Sequence, residues 1–493
     1  MEIWTDVLAW VYTLSALTLA VYATGIMLLF IIWWRHRHPP SPQHSKPTVE
    51  WPSVLVQLPV YNERAVVRRL LAAVAVLDYP RDRLLIQVLD DSNDDTGDLI
   101  AQEVDRYAAS GLKIAHICRT TRTGYKAGAL ANGLTHTKTE LVAIFDADFV
   151  PAPDFLKQVV PYFSSDQKLG MVQTRWGHLN SRAGLLTQAQ ALSLDGHFIV
   201  EQTARSAGGL LLNFSGSGGI WRTACIHDAG GWSAETLAED LDLSYRAQLR
   251  GWRFRYLPQV VVPAEIPPQL AAYRQQQSRW AKGSTQNLFK HGKALWRSDH
   301  WGIYPKFMGT LHLGQYLVHP LMLVLLLLTP LLLLTGIPAK LPLAPLGLIG
   351  IGPPLVYLFS QRHVYTDWKR RLLVFPILLG VGTGFALNNT LAIGAALRGS
   401  PNVFHRTPKF KGQSWQRSRY ALPVGWPVLG EALLAVYAAW GGTVALQTTP
   451  SLAPFLFIYA YAFGLVALWS LVEGVMLYRI KTRQSTVRKH LSI

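Results

Sequence analysis

Apolar residues in this chain come in runs of two lengths, and the two lengths divide the molecule. Val7 to Trp34 is almost uncharged after Asp6 and long enough to cross the hydrocarbon core of a bilayer. From Val54 to about Ala264 no run reaches that length. Short apolar stretches alternate there with helical patterns: Val54–Pro59, Leu84–Leu89, Ile114–Ile117, Leu141–Phe145 and Gly170–Thr174. That alternation predicts βαβ units and a mostly parallel sheet. After Trp301 the long runs return, and Phe307–Leu334, Leu341–Phe359, Gly430–Leu446 and Leu452–Leu477 each read as a span.

Leu372–Leu397 is also apolar, but charge argues against a crossing. Arg362, Lys369, Arg370 and Arg371 precede it, and Arg398, Arg406, Lys409, Lys411, Arg417 and Arg419 follow it. Basic loops stay in the cytoplasm, so both flanks belong on one side and the segment between them is expected to be interfacial or re-entrant. Gly380, Gly382, Gly384, Asn388 and Asn389 weaken it further as a simple span. The cluster Arg35-His36-Arg37-His38 follows the first apolar run instead of preceding it, which argues for a retained helix and a cytoplasmic domain after it. Five crossings are expected, with the amino terminus outside and the basic tail Arg479 to Lys489 in the cytoplasm.

Half of the 493 residues are hydrophobic, and the mean hydropathy of +0.17 is high for a soluble enzyme. The net charge of +17 lies largely beside the apolar runs, without basic–aromatic interleaving, so nucleic acid is not the expected partner. Cys118 and Cys225 form no metal spacing in sequence and no disulfide framework.

Three of the short strands end in polar clusters: Tyr61-Asn62-Glu63, Asp90-Asp91-Ser92 and Asp146-Ala147-Asp148. One such cluster is ordinary turn chemistry. Three at the ends of one sheet point to a ligand, because open α/β sheets bind at the carboxyl ends of their strands. Asp146 and Asp148, spaced i, i+2, can offer oxygens to one hard divalent cation such as Mg²⁺ or Mn²⁺.

Together, Asp90-Asp91-Ser92, Asp146-Ala147-Asp148, Ala238-Glu239-Asp240 and Gln276-Gln277-Ser278-Arg279-Trp280 resemble the motif series of processive family 2 glycosyltransferases. The resemblance covers about residues 51 to 412. Gly124-Tyr125-Lys126-Ala127-Gly128, Gln173 to Trp176, Gly216 to Arg222, Leu243 to Trp252 and Phe404 to Lys409 are similar to the cellulose-synthase-like A and C proteins of plants and their bacterial relatives. Ser215-Gly216-Ser217-Gly218-Gly219 departs from the usual A-type motif in a region that would line the acceptor pocket.

The resemblance implies a Rossmann-like GT-A fold in the cytoplasm with a helical transmembrane bundle. It implies residues 1–38 as a membrane helix, 39–300 as the catalytic domain with interfacial helices and 301–360 as two membrane helices. An interfacial helix and gating loop would occupy 361–428, and two membrane helices with a basic tail 429–493. The implied activity is inverting transfer of hexose from GDP-mannose or UDP-glucose to a β-1,4-linked polysaccharide in a bacterial, plasma or Golgi membrane. Transfer of one sugar to a lipid, or a non-catalytic subunit or transporter, are the alternatives.

On this reading Asp240 is the general base, since inverting transfer needs a carboxylate beside the acceptor hydroxyl. Asp146 and Asp148 hold the metal. Arg279 and Lys126 neutralise phosphate, guanidinium by a two-bond grip and ammonium as a point charge. Tyr61, Glu63, Asp90, Asp91, Gln276, Thr407 and Lys409 complete the nucleotide-sugar site, while Trp221, Glu239 and Trp280 are expected on the acceptor side.

Overall fold

The computed structural model describes residues 2–37, 50–336, 350–412 and 415–491. Its centre is a seven-stranded sheet in the order β3-β2-β1-β4-β6-β5-β7. Five strands lie close to where the hydrophobic pattern predicts them: β1 Val54–Val60, β2 Leu84–Asp90, β3 Ile114–Cys118, β4 Leu141–Ile144 and β5 Leu169–His178. β1 to β4 pair in parallel, as the βαβ alternation requires. β6 (Gly219–Arg222) and β7 (Arg253–Ala264) were not legible as strands: one is four residues long, and the other carries two arginines and two prolines. β6 runs antiparallel between β4 and β5, and it breaks the parallel order beside the Asp146–Asp148 turn.

Apolar layers close both faces of the sheet. Val56, Leu58, Ile86, Val88, Ala143 and Phe145 pack with the Val67–Ala75 and Thr96–Ala109 helices on one side. Leu55, Val142, Ile144, Met171 and Trp221 pack with the Tyr125–Thr135 and Glu239–Leu249 helices on the other. Each fully buried aliphatic side chain contributes roughly 1.5–3 kcal/mol, so the strand ends are held by a rigid core.

Among the described residues, five helical stretches are long and apolar enough to cross a membrane: Asp6–His36, Gln315–Leu333, Trp368–Leu397, Pro427–Thr448 and Pro450–Ile480. Phe307–Leu334 is not one helix, since Ile303–Leu313 ends at Gly314, whose carbonyl accepts the Tyr22 hydroxyl at 2.8 Å. Of the expected span Leu341–Phe359, residues 341–349 lie outside the described residues, and the remainder belongs to the Gly352–Val364 helix. Leu372–Leu397, expected as one interfacial helix, meets the length and composition of a span but is broken into Phe375–Gly384 and Ala386–Leu397.

The Leu270–Arg297 helix joins the two halves. Arg274 reaches Glu431 Oε2 at 2.9 Å and Ser470 Oγ at 3.0 Å, and the Leu270 N–H donates to Glu473 Oε1 at 2.8 Å. Removing Glu431 would strand a buried guanidinium, a loss of about 3–5 kcal/mol. The same helix carries Gln276, Arg279 and Trp280, so the apolar bundle positions part of the polar site.

Candidate active site

A cavity of about 440 Å³ opens at the carboxyl ends of β1 and β4, roofed by the Leu270–Arg297 helix and by residues 404–409. Tyr61, Glu63, Asp91, Lys126, Asp146, Asp148, Glu239, Asp240, Gln276, Arg279, Trp280, Thr407 and Lys409 all line it. Residues more than 340 positions apart in the chain therefore meet in one space of ligand size.

Each carboxylate of the Asp146–Asp148 turn faces a lysine. Lys126 Nζ lies 2.6 Å from Asp146 Oδ1 and donates to the Gly216 carbonyl at 2.8 Å. Lys409 Nζ lies 2.8 Å from Asp148 Oδ2, which also accepts the Glu265 N–H at 3.0 Å. Burial alone would pull both ammonium groups down. For Lys126, Asp146, Glu239 and Asp240 outweigh burial, and for Lys409, Asp148, Glu63 and Glu265 do, so both are held above the usual lysine range.

Asp240 sits in the first turn of the Glu239–Leu249 helix, with Oδ1 accepting the Leu241 N–H at 2.8 Å. Burial raises its pKa first and the neighbouring Glu239 raises it further, against Lys126 and Arg279, so the carboxyl is held well above the ordinary range. That is the environment of a proton acceptor tuned toward neutrality. Gly216 lies against it with a left-handed φ of 85°, and a Cβ there would stand 2.8 Å from Asp240 Oδ2. The glycine lets the loop approach the carboxylate. Ser217 from the same loop accepts the Asp146 N–H at 2.9 Å and, through its carbonyl, the Trp176 indole N–H at 3.0 Å.

Arg279 lies 4.5 Å from the Phe404 ring centroid, and its buried Nε has no hydrogen-bond partner. Burial lowers its pKa, while Glu239, Asp240 and Asp146 favour its charge. Thr407 Oγ1 is likewise buried without a partner. Both groups border the cavity, where an oxygen-rich ligand would satisfy them. Tyr61 lies under the Arg122 guanidinium at 3.4 Å, and Asp91 is held by Arg119 Nε at 2.9 Å.

The structure places two of the expected site residues away from the cavity lining. Trp221 is 0% exposed, packed edge-on against Phe214, Trp232 and Phe254 inside the sheet core, and offers no face to the cavity. Its place in β6 fixes this, because it pairs with Val142 and Met171 on both sides. Trp176 lines the cavity instead. Asp90 does not border the cavity; it accepts the Ser92 N–H at 2.8 Å and faces His116 Nε2 at 3.0 Å.

The sequence reading also missed Glu265. Its Oε2 accepts the N–H groups of Phe410 and Lys411 at 3.2 and 3.1 Å, and its Oε1 pairs with Arg69 at 2.8 Å. It thereby clamps the 404–411 segment onto the sheet. Arg406 adds a second tie at 3.0 Å to Glu63, whose carboxyl burial pushes up to about 7 against Arg406 and Lys409. No sequence signal marks Glu265, whose carboxylate finds partners 145 and more residues away.

The chain is similar to known proteins in sequence and in fold. Residues 52–283 match the family described as glycosyltransferase like family 2. Glucomannan 4-β-mannosyltransferase 2 of Arabidopsis thaliana is 43% identical over 280 residues, covering 55% of this chain and 52% of the relative. Glucomannan 4-β-mannosyltransferase 9 of the same plant is 46% identical over 244 residues, covering 49% and 46%. The chain spans about half the length of these relatives. A mannosyltransferase from Pyrobaculum calidifontis, solved in complex with GDP-Man and Mn²⁺, shares the fold with a TM-score of 0.52 at 24% identity, over 79% of this chain and 100% of that one.

Proposed function

We propose that the protein is a membrane-embedded inverting hexosyltransferase that moves mannose from GDP-mannose to the non-reducing end of a growing β-1,4-linked polysaccharide and passes the product through its own helices. The convergence of Asp240, Arg279, Lys126 and the Asp146–Asp148 turn on one cavity carries this reading. The mannosyltransferase relatives and the GDP-Man-bound fold neighbour favour mannose over glucose.

Asp146 and Asp148 would hold a divalent cation, Mn²⁺ or Mg²⁺. Two hard carboxylate donors fit it, and each now faces a lysine whose charge such an ion would replace. When bound, the ion helps neutralise the departing diphosphate. The remaining work belongs to side chains. Asp240 takes the proton of the acceptor hydroxyl. Arg279 and Lys126 oppose the phosphate charge. Tyr61 stacks on the base, Asp91 and Glu63 border the nucleotide, and Gln276, Thr407 and Lys409 close over it. Glu239 and Trp280 face the acceptor.

The test incubates membranes containing the protein with labelled GDP-mannose or UDP-glucose, then treats the product with mannanase, cellulase or organic solvent. Label from GDP-mannose in a mannanase-sensitive polymer is expected. Cellulase-sensitive label would replace the donor, and solvent-extractable label would replace the polymer by a lipid acceptor.

For topology, we keep Leu372–Leu397 on the catalytic side of the membrane. In the apolar 18-residue window of Trp368–Leu397, 56% of the residues are buried, against 17% to 33% in the windows of the other four, as suits a segment packed within protein. Tyr365→Cys and Lys411→Cys should both be labelled from the cytoplasmic side alone. Labelling of position 411 from outside would overturn the five-crossing arrangement.

A further inference from the structure

Beside the cavity, the carboxyl ends of β2 and β3 gather an oxygen, a nitrogen and a sulfur donor. Asp90 lies opposite Cys118 in the parallel register, so the two project to one face. His116, two residues before Cys118, shares that face by the two-residue period of a strand. The donor atoms of all three lie within 4.8 Å of one another. His116 Nε2 stands 3.0 Å from Asp90 Oδ2 and 3.3 Å from Cys118 Sγ. Asp90 is buried and steered by the Ser92 N–H on its other oxygen, whereas Cys118 is exposed. The cluster thus has a fixed carboxylate at its base and an open flank.

We propose that Asp90, His116 and Cys118 form a site for a borderline-soft divalent cation of the zinc class, with a fourth position open to solvent. Carboxylate, imidazole and thiolate are the three donor types such an ion accepts. Mg²⁺ selects oxygen ligands, so the set discriminates against the cation suited to the Asp146–Asp148 pair. With metal–oxygen and metal–nitrogen bonds of about 2.0 Å and a metal–sulfur bond of about 2.3 Å, tetrahedral donors stand roughly 3.3 to 3.6 Å apart. Opening the observed separations by a few tenths of an ångström admits the ion. On binding, the Cys118 thiol proton passes to solvent and the sulfur electron pair to the metal. The site is separate from the Asp146–Asp148 turn, because β1 lies between β2 and β4 in the sheet. Asp91, the next residue, lines the cavity, so an ion on Asp90 would act on one edge of it.

The experiment titrates the full-length protein in detergent with Co²⁺, without nucleotide and with Mg²⁺ in excess. A thiolate-to-cobalt charge-transfer band is expected, and stoichiometric Zn²⁺ should remove it. The band should vanish in Cys118→Ser, weaken strongly in His116→Ala and persist in Cys225→Ser and Asp148→Ala. As a second readout, Zn²⁺ should slow maleimide labelling of Cys118 by about tenfold or more in the parent protein and much less in His116→Ala. Absence of the band, its survival in Cys118→Ser, or indifference to His116 would each overturn the site.

Discussion

The two sides of the cavity are built from different materials. Around the ends of β1 and β4 almost every charge already has a partner: Lys126 with Asp146, Lys409 with Asp148, Arg406 with Glu63. Away from the strand ends, the aromatic residues Trp176, Tyr273, Trp280, Tyr316 and Tyr357 line the cavity. The charged side must exchange partners when a ligand enters. The aromatic side needs only to be covered. On the proposed function, the first receives a nucleotide diphosphate and the second a sugar chain, and substitutions on the two sides should separate accordingly.

The largest effect is expected at Asp148. Asp148→Ala should abolish transfer and weaken metal-dependent nucleotide binding, while size-exclusion chromatography in detergent shows a folded protein. Full activity of the parent protein in EDTA would remove the metal from the charged side.

Asp240→Asn comes next. The replacement keeps the shape but takes no proton, so turnover should fall by about 10² to 10⁴. GDP affinity by calorimetry should hardly change, whereas Arg279→Ala should lose affinity and rate together. If Asp240 served only as a first-turn carboxylate of its helix, Asn would cost only the attraction to the helix dipole, about 0.3–1 kcal/mol of stability, and leave turnover unchanged. The same residue sets the expected pH profile. The base works ionised, and its pKa is raised by burial and Glu239, so kcat/KM should fall with decreasing pH from a point above the usual carboxylate range. A flat profile down to ordinary carboxylate pH would point to another base.

Glu265→Ala should act through the loop. It leaves Arg69 and two backbone N–H groups without their acceptor, so donor KM should rise by roughly tenfold and proteolysis within 404–411 should quicken. An unchanged KM would mean that this segment contributes nothing to donor binding. The smallest effect belongs to the aromatic side. Trp280→Ala should raise acceptor KM about two- to tenfold and leave GDP affinity intact. A loss of nucleotide binding there would erase the distinction between the two sides.

Much of the charged side was legible in the chain because strand ends announce themselves. Leu141–Ile144 is a continuous apolar run with no other good place than a buried strand, and it delivers Asp146 and Asp148 to the sheet edge. Asp240 was singled out by its motif resemblance, since its place at the start of a helix is equally that of an ordinary first-turn carboxylate. The aromatic side was harder, because a ring at a motif position looks the same whether it faces ligand or core. Trp221 and Trp176 differ in which way the strand turns them, and that depended on β6 entering the sheet antiparallel.

Hydrophobic period and charge asymmetry act between near neighbours, so the chain alone determined strands β1 to β5, the apolar character of the membrane segments and the carboxylates at strand ends. Tertiary structure decided which side chains meet across long separations. Lys409 reaches Asp148 from 261 residues away, Arg274 finds Glu431 across 157, and Asp90 turns from the cavity toward His116 on the adjacent strand. Those pairings follow from how the whole core packs and where each buried charge finds a counter-charge, and neither is encoded in any local stretch of sequence.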